Sequence, residues 1–407
     1  VGEEIRSTPV TSSRHRTAAV VLAGYCAFLQ LYATQPLLPL LKQLFHATEL
    51  AVSLTVTVPT LGVALSAPLA GMLADRIGRR PVIIWSAFLL ALTALVTATS
   101  TTLPQLIFWR FWQGVFTPGV FSVTVAYIHD EWRGQGTGRT VAAYISGTVS
   151  GGFSCRMLSG LVAAHAPWQE SFVVLGSLNL VLAVAIWMWL PPETAPHQHD
   201  PETRVWAAVR GHLRNRQLLA AYLVGFCVLF SLVAEFTYIT FHLAAPPYSL
   251  LPAALGSIFF VYLVGVAITP MAGRAIDHFG HRAALSVAIM VSTAGIALTL
   301  TRPLWAIVLG LAVCSSGVFI AQASASAFVG TAAKDNRALA IGLYSTFYYL
   351  GGSIGAAAPG PFYSWGGWIA CATFIGAVQV VTVLIALFFW KPEATISSSD
   401  DVRSISV

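Results

Sequence analysis

Gly71-Met-Leu-Ala-Asp75-Arg-Ile-Gly78-Arg79-Arg80 returns as Gly273-Arg-Ala-Ile-Asp277-His-Phe-Gly280-His281-Arg282, 202 positions later. A second block, Tyr144, Gly151, Gly152, Gly160 and Trp168, returns as Tyr344, Gly351, Gly352, Gly360 and Trp368 at an offset of 200. Two independent blocks at nearly one offset make the chain an internal duplication. What is duplicated is read from the apolar runs around the blocks. They lie near residues 17–41, 50–72, 81–100, 103–128, 139–163, 168–190, 218–243, 252–272, 283–300, 303–329, 338–362 and 366–390. Each is long enough to cross a bilayer as a helix, and helix is required because lipid offers backbone groups no partner. The duplication therefore divides the chain into six spans and six, in parallel order.

Composition agrees. Of 407 residues, 56% are hydrophobic and only 9% charged, with a mean hydropathy of +0.74; a soluble domain carries roughly 25% charged residues. The net charge of +6 forms no stripe and points to topology rather than nucleic acid. Lys and Arg outside the spans fall almost entirely in the loops on the side of the termini, with only Lys42 and Arg302 opposite. The excess of basic residues places both termini in the cytoplasm.

The expected organisation is an N-terminal arm (1–16), a six-helix bundle (17–190), a linker (191–217), a second six-helix bundle (218–390) and a tail (391–407). Within the linker, Val205, Trp206, Val209 and Leu213 alternate with arginines at helical spacing, as in a helix lying on the membrane surface. His197 and His199, two apart in the linker, could bind a metal, but no metal site is expected. The five cysteines sit singly in separate runs, as small packing residues. Pro36, Pro39, Pro68, Pro118, Pro270 and Pro359 are expected to kink helices rather than break them. Short loops and the absence of Asn-x-Ser/Thr suit a bacterial inner membrane.

The segment after span 2, G-M-L-A-D-R-I-G-R-R-P, resembles the signature of the major facilitator superfamily, and its weaker copy falls in the equivalent loop. Arg110-Phe-Trp-Gln113-Gly114 is similar to that family's R-x-x-Q-G motif in span 4. Tyr32-Ala-Thr-Gln35-Pro36 and Tyr348-Tyr349-Leu-Gly351-Gly352-Ser353 resemble bacterial arabinose-efflux-like permeases, near the drug–proton antiporter branch. The resemblance covers about 17–390. It implies an all-α membrane protein of twelve transmembrane helices in two pseudo-symmetric six-helix bundles, a central cavity and alternating access. It also implies that Asp75 braces the start of span 11, and by symmetry Asp277 the start of span 5, as a cytoplasmic gate. Gly71, Arg76, Gly78, Arg79, Arg80, Gly273, Gly280 and Arg282 complete that gate, the glycines for close helix approach and the arginines for anionic lipid headgroups. One departure stands out. Proton antiporters of the family carry G-x-x-x-G-P-x-x-G-G in span 5, whereas this chain reads Gly147-x-x-x-Gly151-Gly152-x-x-Cys155-Arg156.

Ionisable residues inside spans are functional candidates because their burial is costly. Away from the span ends there are three: Arg110, Arg156 and Glu235. At 1.5 Å per residue all three fall at similar depth, in the outer half. Burial favours a protonated Glu235 and a nearby arginine favours its charged form, so this carboxylate is the expected proton carrier, with Arg110 and Arg156 as partners. The alternative is a purely structural ion pair. Tyr32, Gln35, Gln113, Gln322, Tyr344 and Tyr348 are the expected polar lining of an otherwise apolar cavity. Gly147, Gly151, Gly152, Gly351, Gly352 and Gly355 are expected to let helices pack closely.

These readings describe a monomeric secondary transporter of a small molecule, with no cofactor and the proton gradient as energy source. Proton-coupled efflux of a neutral or weakly cationic amphipathic compound, or a sugar, is the leading expectation. Proton symport, facilitated uptake and a ligand-sensing receptor remain open. No catalytic cluster, nucleophile elbow or phosphate-cradling loop supports an enzyme or an ATP-driven pump.

Overall fold

The computed structural model describes residues 13–132, 137–193, 202–265, 267–268, 278–333 and 336–390. Gly273, Arg274 and Asp277 of the second motif copy lie outside them, as do the tail, Pro270, His197 and His199. The described residues are helical and contain no strand. In chain order the helices are α1 (Ser13–Phe28), α2 (Leu38–Leu44), α3 (Glu49–Ile77), α4 (Arg79–Thr97) and α5 (Leu103–Glu131). There follow α6 (Thr137–Ala163), α7 (Trp168–Trp189), α8 (Glu202–Arg214), α9 (Arg216–Ala244) and α10 (Pro252–Ile258). The last four are α11 (His281–Leu298), α12 (Leu304–Ala332), α13 (Arg337–Ala357) and α14 (Gly360–Phe389). Among the described residues seven of these are long and apolar enough to cross a membrane by that measure alone. The helix α8 occupies the linker.

Span 1 departs from expectation. The helix α1 ends at Phe28, residues 29–34 run in turns, and a 3₁₀ turn, Gln35–Leu37, leads into α2. Pro36 has no N–H to give and Pro39 follows within one turn, so this span breaks where a kink was expected. Pro59 and Pro68 in α3, and Pro118 in α5, stay within continuous helices. A second hinge lies in α14, where Gly366 and Gly367 leave helical geometry and Gly367 takes a φ of 60°.

The motif glycines have a definite geometric task. Gly78 ends α3 and begins α4 with φ 99° and ψ 151°, and Gly280 precedes α11 with φ 78° and ψ 158°. Side chains with a Cβ are excluded from this region, so both copies need glycine to reverse the chain between consecutive helices.

The chain forms two compact units. The first comprises Val1–Glu202, Val233–Phe260 and Gly352–Cys371; the second comprises Thr203–Leu232, Val261–Gly351 and Ala372–Val407. The first therefore holds spans 1–6 together with parts of spans 7, 8, 11 and 12. In it, α6 crosses α1 so closely that a Cβ at Gly147 or Gly151 would collide with the carbonyl oxygens of Val21 and Tyr25. The second repeats the device, with Gly351 of α13 against the carbonyl of Phe226 in α9. Reciprocally, Gly24 faces Tyr144, and Gly225 faces the ring of Tyr344. The same crossing is thus built twice from the same small residues.

Still within the first unit, Gly160 admits the carbonyl of Pro252, and Gly360 leaves only 3.0 Å between a would-be Cβ and the side chain of Leu50. Ser353 donates to the carbonyl of Thr57 at 2.9 Å. Gly160 and Gly360 are repeat-equivalent, and so are the helix starts they receive, so this end of the unit closes by two matching contacts.

Candidate functional site

The break in span 1 creates the site. In the turns the Gln30 carbonyl keeps a backbone donor, Ala33 N at 3.2 Å, and Arg110 of α5 supplies further donors to the carbonyls of Gln30 and Leu31. Its Nη1 donates to Gln30 O at 2.6 Å, its Nη2 to Leu31 O, and its Nε to Thr55 O of α3 at 3.0 Å. Nη1 also donates to Gln113 Oε1, and Gln113 Nε2 donates onward to Thr97 Oγ1 of α4 at 2.9 Å. Arg110 and Gln113 are both fully buried. Charge-assisted hydrogen bonds of this kind offset the several kcal/mol that burying an ion costs. Gln113 has both ends of its amide engaged between α4 and α5, and so stands in the bundle interior instead of a cavity wall.

The next residues of the same segment hold the second arginine. Arg156 of α6 donates from Nε to Gln35 Oε1 at 2.7 Å and from Nη1 to the carbonyl of Gly152. Its guanidinium lies 4.4 Å from the ring centre of Tyr32 and 4.8 Å from that of Phe259. Two such faces stabilise a cation well in a desolvated setting. A Cβ at Gly152 would stand 3.5 Å from Arg156 Nη1, an ordinary van der Waals contact, so the guanidinium does not by itself require glycine there.

Glu235 of α9 is fully buried in the same unit, and the two residues that follow it along the helix lead to Arg156. Thr237 Oγ1 accepts from Gln35 Nε2 at 3.3 Å. The ring of Phe236 packs 5.4 Å from that of Phe259, which lies over the guanidinium. Tyr238, one residue beyond Thr237, donates to Ala356 O at 3.0 Å. One layer thus collects Tyr32, Gln35, Arg156, Glu235, Thr237 and Phe259. Thr237 and Phe259 carry no mark in the sequence, because threonine and phenylalanine are ordinary in apolar runs.

The remaining expected cavity residues, Gln322, Tyr344 and Tyr348, lie in the second unit. Tyr344 and Tyr348 stack with ring centres 5.9 Å apart, and Gln322 is half-buried. Gly352 and Gly355 are buried.

At the motif, the two arginines after Gly78 are structural clamps. Arg79 pairs with Asp130 and donates to Ala126 O at 2.8 Å, tying α4 to the end of α5. Arg80 donates from Nε to Leu190 O at 2.8 Å and from Nη2 to Trp187 O at 3.2 Å. It thereby caps the last carbonyls of α7 with a cation, where the helix dipole favours one. Asp75 and Arg76 are exposed. A Cβ at Gly71 would meet nothing within 4 Å, so close helix approach does not occur there in this structure. Opposite the motif, Lys42 pairs with Glu49 at 2.5 Å. Burial raises the Glu49 carboxyl and the Lys42 hydrogen bond lowers it, with a net result below the ordinary value.

A family model described as Major Facilitator Superfamily matches residues 20–265 and again 237–406. The MFS-type transporter YybF of Bacillus subtilis (strain 168) is 33% identical over 389 residues, covering 95% of this chain and 94% of the relative. The inner membrane transport protein YnfM of Escherichia coli (strain K12) is 30% identical over 371 residues, covering 91% and 89%. Among solved structures, the nucleoside transporter NupG shares the fold with a TM-score of 0.74 at 13% identity, over 92% of this chain and all of that one (100%).

Proposed function

The chain belongs to the major facilitator superfamily, and from that premise we propose that it is a proton-coupled transporter in which Glu235 carries the proton. That it is a multi-pass membrane transporter and not an enzyme follows from the family. The single observation supporting the finer reading is the buried layer in which Arg156, held by Gln35 between Tyr32 and Phe259, is linked to Phe236 and Thr237, the two residues that follow Glu235 in its helix. A carboxylate in such a place changes its proton affinity when the surrounding helices part. Gly160 on Pro252 and Gly360 on Leu50 are the matching contacts that parting would separate. Separation on one side and closure on the other is alternating access, and Asp75 with its motif is the device that closes the opposite end. In this reading both termini face the cytoplasm, as the basic loops require.

Arg110 has a different role. Its donors are engaged by carbonyls and by Gln113, so it braces the broken span that presents Tyr32 and Gln35 to Arg156.

Proteoliposomes with an imposed pH gradient and a broad substrate panel test the proposal. Glu235→Gln should abolish substrate-driven proton movement while the protein remains folded and monodisperse. Undiminished coupling in that variant would refute it.

A further inference from the structure

We propose that the transported molecule is an organic monoanion, a carboxylate on an apolar and preferably aromatic body, and that it binds together with one proton. The inference rests on the transport reading above and replaces the expectation of a neutral or weakly cationic substrate.

Charge is the first ground. Inside the described spans the buried charged residues are Arg110 at 0%, Arg156 at 4% and Glu235 at 0% exposure. Arg110 is solvated by three carbonyls and the amide of Gln113, all neutral. Those dipoles make its burial tolerable without cancelling its charge. The two arginines outnumber the one carboxylate, and residues 30–35 hold both. Net positive charge in a low-dielectric layer draws an anion and repels a cation.

Geometry is the second ground. Guanidinium is the side chain best matched to a carboxylate, through paired N–H donors. Arg156 is oriented by Gln35 and Gly152 and pressed between two rings, so it is held rigidly rather than free to snorkel. The adjoining wall is aromatic: Phe236 packs on Phe259, and Phe153 packs 4.6 Å from Phe260 between ring centres. A carboxylate seated on Arg156 would therefore place its body against apolar rings.

Proton linkage follows from the neighbourhood of Glu235. A ligand carboxylate and the Glu235 carboxylate are like charges in one buried layer, and both cannot be ionised there without a large penalty. Binding of the anion is thus accompanied by transfer of one proton from bulk water to a Glu235 oxygen. The anion and the proton enter as a pair, the layer's charge falls by nothing overall, and the two leave together on the other side.

The test is calorimetric titration of the purified full chain in detergent, at neutral pH, in two buffers of different ionisation enthalpy. The probes are benzoate, phenylacetate and 3-phenylpropionate, with benzamide and benzylamine as matched neutral and cationic controls. The expected result is acid binding about tenfold or more tighter than amide or amine, with one proton taken up per acid bound. In Glu235→Gln binding should persist and proton uptake should vanish. In Arg156→Gln acid binding should be lost, with Arg156→Lys intermediate; the wild-type buffer comparison stands even if these variants fail to fold. Binding of benzamide or benzylamine as tight as that of the acids, acid binding without proton uptake, or no binding by any of the three acids would each overturn the proposal. The two readings separate cleanly. If benzylamine moves protons in proteoliposomes, transport stands and the anion assignment falls; if acids bind with proton uptake but nothing crosses, the transport reading falls alone.

Discussion

The two sequence repeats share their packing and differ in their chemistry. Gly151 on Tyr25 and Gly351 on Phe226 make the same helix crossing at equivalent positions. The charged residues inside the spans show no such correspondence. At the repeat offsets of 200 to 202, the second repeat has Gly310, Leu311 or Ala312 for Arg110 and only alanines (Ala356 to Ala358) for Arg156, while Glu235 falls on Ala33, Thr34 or Gln35 of the first. Even neutral polar groups diverge. Tyr144 donates to Phe121 O at 2.7 Å, whereas the hydroxyl of Tyr344 is buried with no acceptor. Gln379 bonds Ser292 and Thr293 at 2.8 Å each, whereas Asn179, one methylene shorter at the matching position, is fully buried with neither amide atom partnered. Small residues that set backbone distances have been kept in duplicate, and the groups that could act on a ligand have been concentrated unevenly.

That contrast can be broken most severely at Arg110. Arg110→Leu, which gives the first repeat an apolar residue as in the second, removes three hydrogen bonds, to the carbonyls of Gln30, Leu31 and Thr55, in a medium that supplies no substitute. The expected loss is about 2–4 kcal/mol, visible as a collapse of the monodisperse peak in thermal fluorescence-detected size exclusion. A wild-type melting profile would show that the broken span does not depend on this brace.

A middle-sized effect of opposite sign is expected at the amides. Asn179→Leu removes an unsatisfied buried group and should raise stability by about 1 kcal/mol, while Gln379→Leu removes two buried hydrogen bonds, with Ser292 and Thr293, and should lower it by a similar amount. Equal shifts in one direction, measured by the same melts, would mean the two amides are not distinguished by their partners.

The smallest difference belongs to the tyrosines. Tyr144→Phe should cost about 0.6 kcal/mol, the usual worth of a hydrogen bond within a membrane protein, and Tyr344→Phe should cost nothing measurable. A larger loss at Tyr344 than at Tyr144 would sharpen the comparison by assigning the second hydroxyl to a ligand.

Much of this was legible in the chain, and the reasons are specific. Arg110, Arg156 and Glu235 stand out because a charge inside a lipid-length run is costly and rare. Gly78 and Gly280 stand out because the motif repeats, and both prove to hold a backbone conformation closed to other residues. Legibility fails where the meaning of a residue depends on a distant neighbour. Pro36 and Pro118 look alike in sequence, yet one lies in a break and the other in an unbroken helix. Only the first has Arg110 beside it, donating to the carbonyls of Gln30 and Leu31. Gln113 reads as a cavity residue and turns instead toward Thr97. Thr237 and Phe259 give no warning at all.

By itself, then, the sequence determined the helical class, the duplication, the uneven spread of basic residues among the loops and the rare buried charges. Each of these follows from the cost of exposing polar groups to lipid, a cost that is paid residue by residue and so leaves a local trace. The tertiary structure alone decided that Arg110 repairs a helix while Arg156 lies between aromatic rings in the layer of Glu235. Those assignments depend on which groups meet across 55 to 121 positions of chain, and contacts at such range are set by packing rather than by any neighbour in the sequence.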